Sequence, residues 1–181
     1  PLHIDFSSNY DDERIYTPSV SHRRVVNGIL EFGSLFSYPH SWASISNLKM
    51  LNVSIEFVAK FVKVLDKQPK IGIAVRSQHF YANYGHILVL GADGSIFITQ
   101  PDNDPPRFYK DIELRPPTEI DPYDYHNFIV VFDNEALTVT IDDFTKIIPL
   151  ATMQRVNGEG LIRFHATRSW MGIRSLKLQA A

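Results

Sequence analysis

The stretch Asn52-Val53-Ser54-Ile55-Glu56-Phe57-Val58-Ala59-Lys60-Phe61-Val62 decides the fold class. Val53, Ile55, Phe57, Ala59 and Phe61 alternate with Ser54, Glu56, Val58, Lys60 and Val62. Successive side chains of an extended chain point to opposite faces, so this period of two describes a strand half buried on a sheet. A helix would need apolar residues three and four apart, a spacing the run does not keep. β-branched and aromatic residues fill the first set, the types that pack on a pleated surface. Residues 52–65 therefore read as one long strand, turned by Asp66-Lys67-Gln68-Pro69.

The same reading extends in both directions. Downstream, Ile71, Ile73 and Val75 share one face while Gly72, Ala74 and Arg76 take the other. Residues 86–90 and 95–100 flank Gly91-Ala92-Asp93-Gly94, a hairpin signal because glycine accepts positive φ. Residues 101–125 are rich in proline and aspartate and read as loop with a short strand at 108–114. Residues 127–132 and 136–141 are joined by Asp133-Asn134-Glu135, and Asp142-Asp143 leads into a strand at 144–148. A helical turn near 150–155 and strands at 160–166 and 171–178 complete the chain. Upstream, residues 2–6 and 25–32 read as strands, the second bent near Gly28 with Val26, Leu30 and Phe32 on one face. The spacing of about twelve strands with turn residues between them predicts an all-β sandwich or barrel.

Composition narrows the class. The 181 residues fit a single domain, expected over 1–181 with residues 1–21 partly irregular. At 44% hydrophobic content the chain carries enough apolar material for a substantial core. Charged residues make up 21%, the signs are interspersed and the net charge is -2, which gives neither a footprint for nucleic acid nor a polybasic segment for a membrane surface. No apolar run approaches the roughly 20 residues of a membrane span. With no cysteine, disulfides, thiolate zinc sites and cysteine nucleophiles are excluded. That absence favours a microbial source and an extracellular or periplasmic setting, with the cytoplasm as the alternative. The start at Pro1 is what a module cut from a longer protein would show.

The second half carries a recognisable layout. Tyr125-His126-Asn127-Phe128-Ile129-Val130-Val131 is followed by a hairpin and by Leu137-Thr138-Val139-Thr140-Ile141-Asp142. Gly160-Leu161-Ile162-Arg163-Phe164 and Ile173-Arg174-Ser175-Leu176-Lys177-Leu178 come last. From Val25 to Leu178 this strand pattern resembles the concanavalin A-like lectin/glucanase superfamily, in which a strand ending in V-x-I-D-G precedes two terminal strands. Asp143 stands where that family most often has glycine. The resemblance implies a two-sheet antiparallel jelly roll whose last strand returns beside the early ones. It also implies an oligo- or polysaccharide partner on one sheet or its rim.

Candidate sites follow from residue chemistry. Arg76-Ser77-Gln78-His79-Phe80-Tyr81-Ala82-Asn83-Tyr84 is dense in groups that sugars use: rings that stack on pyranose C–H faces and side chains that bond hydroxyls. Arg163 and His165 share one strand face, and Trp170 follows at the next corner, as core plug or as platform. Arg76, His79, Tyr81, Tyr84, Gln100, Arg163, His165 and Trp170 are the expected ligand-binding set. Trp42 is expected in the core, with Tyr38 and His40 at a rim. The function expected is glycan binding by a module of a carbohydrate-active enzyme.

A glycoside hydrolase on the same fold is the alternative. Laminarinase-type glucanases, which resemble this fold class, carry a Glu-x-Asp-x-x-Glu strand, and a retaining mechanism needs its carboxylates about 5–5.5 Å apart. Glu119-Ile120-Asp121-Pro122-Tyr123-Asp124 comes near that string, but Pro122 interrupts the strand and aspartate replaces the last glutamate. The expectation is an acidic loop and no catalytic residue. A structural or protein-interaction sandwich is the third reading. No cofactor is expected. Calcium would find oxygen ligands at Asp102, Asn103 and Asp104, or at Asp93 and Asp142-Asp143, but none has a diagnostic spacing. No zinc pattern, phosphate loop or nucleophile elbow occurs.

Overall fold

The computed structural model describes residues 1–19, 21–35, 39–78, 85–101 and 111–181, with the backbone alone at 46 and 47. Among these residues fifteen strands form: β1 (Leu2–Asp5), β2 (Ile15–Tyr16), β3 (Ser21–Val26), β4 (Ile29–Ser34), β5 (His40–Met50), β6 (Val53–Val64), β7 (Lys70–Ser77), β8 (His86–Gly91), β9 (Ile96–Thr99), β10 (Ile112–Leu114), β11 (His126–Phe132), β12 (Ala136–Ile141), β13 (Phe144–Pro149), β14 (Gly160–Thr167) and β15 (Ser169–Gln179). A 3-10 turn at Leu150–Thr152 follows β13.

The strands make two antiparallel sheets. The eight-stranded sheet runs β13-β12-β11-β6-β15-β4-β3, with β1 also paired to β15. The seven-stranded sheet runs β10-β9-β8-β7-β14-β5-β2. The final two strands sit in the middle of the two sheets: β15 joins β4 to β6, and β14 joins β5 to β7. The expected return of the last strand beside the early ones is therefore present.

The decisive alternation holds. Val53, Ile55, Phe57, Ala59 and Phe61 are buried between the sheets, and the residues between them are only partly so. Phe57 stacks on Phe128 of the neighbouring strand at 5.0 Å and meets Phe164 of the opposite sheet edge-on at 5.0 Å. Such ring pairs add about 0.5–1.5 kcal/mol each beyond the area they bury.

Three local expectations are corrected. The single bent strand at 25–32 is two strands, because Asn27 and Gly28 both take positive φ (53° and 75°) and form a tight hairpin turn. Residues 1–21, expected to be partly irregular with a strand at 2–6, hold a further short strand, since Ile15–Tyr16 pairs with β5 and buries Ile15. Trp42 is not in the core: it lies on the outer face of the seven-stranded sheet, partly exposed, opposite His165. The Asp142-Asp143 turn works without the family's glycine because Asp142, not Asp143, adopts the left-handed conformation (φ 55°), which aspartate tolerates better than most residues.

Candidate functional site

Register across the seven-stranded sheet fixes which side chains share its outer face. One row reads Thr99, Ile87, Ala74, Arg163, Ser44 and Tyr16 from β9 to β2. The next reads Glu113, Phe97, Val89, Gly72, His165 and Trp42 from β10 to β5. Three aromatic residues, Phe97, Trp42 and Tyr16, thus lie on one face. Phe97 and Trp42 are four strands apart, about 19 Å at about 4.8 Å per strand.

The middle of this face is closed by its own side chains. Ala74, Ile87 and Val89 form a small apolar cluster separate from the main core. Arg163 is buried with its guanidinium 5.9 Å from the Trp42 ring. His165 is buried as well, and burial pushes its pKa down to about 4. Its ring lies over Gly72, where an added Cβ would come within 2.6 Å of Nε2 and collide with the Leu88 carbonyl oxygen. Gly72 is the residue that lets the imidazole lie flat on the sheet.

The face opens at one end. A groove of about 530 Å³ has Val89, Phe97 and Thr99 on its floor, with walls from the Gln68-Pro69-Lys70 turn, the Gly91–Ser95 hairpin and Asp111. Phe97 is partly exposed there, because its neighbours Ile96 and Ile98 face the core. The hairpin is built as its sequence suggests: Gly91 N–H donates to the Ser95 carbonyl, and Gly94 takes φ 85°. The Asp93 carboxylate accepts bonds from the Ser95 amide (3.0 Å) and hydroxyl (2.5 Å), which hold its pKa below the usual carboxylate range.

Of the expected ligand-binding set, Arg163 and His165 share this outer face, and Gln100 lines an adjoining cavity. Arg76 does not join them. Leu161 pairs with Ser77 but Arg163 with Ala74, so β7 carries one extra residue, and Arg76 takes φ 50° in that bulge. The bulge breaks the alternation that assigned Arg76 to the outer face. Its guanidinium instead stacks 3.7 Å from the Phe132 ring of the other sheet. It donates to the carbonyls of Leu51 (2.6 Å) and Asn157 (2.9 Å), and at 3.3 Å to the Asp133 carbonyl and Asn52 Oδ1. Arg76 therefore ties one end of the sandwich together.

His86 also meets that ring, edge-on with centroids 4.7 Å apart, and its Nε2 accepts the Asn157 backbone amide at 3.0 Å. Burial, then the charges of Arg76 and Arg155, push its pKa down to about 3.

Trp170 is neither core plug nor part of the groove. It lies on the outer face of the eight-stranded sheet, paired with Gly33, where a Cβ would overlap the indole. His22 stacks on it at 5.6 Å and the Arg24 guanidinium sits 5.7 Å away. His79, Tyr81, Tyr84, Tyr38, and Asp102, Asn103 and Asp104 lie outside the described residues. The glucanase-like string is a loop with Glu119 and Asp121 exposed. His126 fastens that loop, contacting the Asp121 carbonyl at 2.6 Å and Asp142 Oδ2 at 2.7 Å. Phe97, Tyr16 and Lys70 were missed by the sequence reading. For Phe97 the signal was present: an aromatic residue on the non-core side of an alternating strand.

Solved structures share this architecture. The fold is the concanavalin A-like jelly roll. A carbohydrate-binding module of family 66 from Bacillus subtilis superposes with a TM-score of 0.70 at 12% identity, over 92% of this chain and 96% of that one. A Clostridium perfringens endo-β-galactosidase that releases GlcNAcα1-4Gal gives 0.69 at 12% identity, over 98% and 62%. The Bacillus licheniformis β-glucanase gives 0.67 at 9% identity, over 99% and 98%. No protein-family model and no curated protein matches the sequence. Within the jelly roll, the described groove belongs to the outer face of the smaller sheet.

Proposed function

We propose that this jelly roll binds a glycan, and that the ligand lies in the groove over Val89, Phe97 and Thr99. The observation that carries the reading is a partly exposed aromatic ring on the floor of an open groove of about 530 Å³. That volume lies within the roughly 300–1,000 Å³ of ligand sites. A ring with a bare face stacks on the apolar face of a pyranose, while Lys70, Gln68, Asp111 and Thr99 along the same groove supply hydrogen bonds to hydroxyls. The neighbouring carbohydrate-binding module, glucanase and galactosidase support a saccharide ligand for this architecture.

Of the two carboxylates along the groove, Asp93 and Asp111, the first is set up against acid catalysis. A general acid needs a raised pKa. Asp93 is held the other way by Ser95 and is committed to its own turn. Affinity electrophoresis in gels cast with β-glucan, galactan or other neutral polysaccharides tests the reading. At least one polysaccharide should retard the protein, and Phe97→Ala should weaken that retardation about tenfold or more, the loss of one stacking contact of about 1.4 kcal/mol. Unchanged mobility of the wild type in every gel, or a Phe97→Ala variant retarded as strongly as wild type, would overturn it. New reducing ends from any of these glycans would establish the hydrolase instead.

A further inference from the structure

Beside the groove lies a second cavity of about 400 Å³, lined by Gln100, Asp111, Ile112, Glu113, Thr152 and Gln154. Asp111 lines both, so the two adjoin at the start of β10. Gln100 is only 8% exposed and its Oε1 has no hydrogen-bond partner. A buried acceptor left unmet is costly, and such groups call for an explanation. The last side-chain torsion of glutamine is broad, so the amide can turn to meet a ligand in the cavity this residue lines.

We propose that this cavity is a second subsite of the glycan groove, in which Gln100 accepts a hydrogen bond from a donor-rich sugar, neutral or amino. The inference rests on the glycan-binding reading and goes beyond it by naming a residue and a sugar class. The acceptor needs a donor, and hydroxyls and ammonium groups are donors, whereas carboxylates and sulfates are not. The other lining groups point the same way. Asp111 and Glu113 are anionic and exposed, Thr152 and Gln154 are polar, and no cationic side chain is among the described lining residues. An acidic sugar would meet the carboxylates of Asp111 and Glu113, the second of them offset in part by Arg115 at 2.8 Å; a neutral or amino sugar satisfies the amide without that repulsion.

Gln100→Leu tests this, because leucine fills similar space without the acceptor. A structural glutamine would lower the melting temperature when replaced. A ligand-binding one leaves it unchanged or raises it, since the unmet oxygen is gone. The expected result is an unchanged or higher melting temperature together with about tenfold weaker retardation in the neutral-glycan gel that retards the wild type. Polygalacturonate and chondroitin sulfate gels should not retard the wild type, and the double variant Asp111→Lys, Glu113→Lys should gain retardation by polygalacturonate. A Gln100→Leu protein that melts lower and binds as before overturns the subsite. Wild type retarded equally by polygalacturonate overturns the sugar class alone. Absence of retardation in every gel removes the glycan reading itself, and the subsite with it.

Discussion

His86 and His165 make the fold acid-sensitive in a window that can be worked out. Their pKa values in the folded chain are pushed down to about 3 and about 4 by burial. An unfolded histidine titrates near 6.5, so between these values the unfolded chain binds more protons than the folded one. Both groups therefore contribute stability in full above pH 6.5, and it is lost as pH falls towards the folded values. Each costs up to about 1.36 kcal/mol per pH unit, hence about 2 kcal/mol per histidine between pH 6.5 and pH 5, and about 4 kcal/mol for the pair. Domains have about 5–15 kcal/mol in total, so the effect is large. The lowered carboxylates, Asp5, Asp12, Asp93 and Asp133, act below this window, near and under the ordinary aspartate range. Urea unfolding at pH 7 and pH 5 measures the difference directly. His86→Gln keeps an acceptor for the Asn157 amide and should remove about half of the pH dependence, and the double variant with His165→Gln nearly all of it. A wild-type stability that is flat from pH 7 to pH 5, or a slope unchanged in the double variant, would refute the reasoning.

Two further substitutions probe the framework. Gly72→Ala drives a methyl group into the Leu88 carbonyl oxygen and against His165 Nε2, neither of which can move without disturbing the sheet; a loss of about 3 kcal/mol in urea unfolding is expected. Arg76→Met keeps a stem on Phe132 but strips donors from the carbonyls of Leu51, Asn157 and Asp133, and should cost about 3 kcal/mol or more, with faster proteolysis of the loop around Asn157.

The sheets were legible in the sequence wherever alternation was regular. The strand at Lys70–Ser77 and the one at Ala136–Ile141 have the limits the pattern assigns. Alternation also put Arg163 and His165 on one face, where they are. It failed at Arg76, because a single inserted residue reverses every later side chain and nothing in the local composition marks the bulge. Trp170 could not be assigned from its neighbours alone. Which sheet takes the strand after a corner depends on long-range pairing, here Trp170 with Gly33. Phe97 was readable in principle, since Ile96 and Ile98 claim the core side. A dense cluster of polar and aromatic residues is a stronger signal in a sequence than one ring on a strand, and Phe97 is such a ring.

The central positions of β14 and β15 set the order of events during synthesis. Until Gly160–Gln179 has left the ribosome, β5 and β7 lack the strand that bridges them, and so do β4 and β6. Hairpins such as β7–β8 and β11–β12 can close early, but neither layer can be zipped shut. The nascent chain therefore exposes open strand edges until β14 and β15 are made, and both layers close only after that. A chaperone or any factor acting on the nascent polypeptide meets that open form until those two strands emerge.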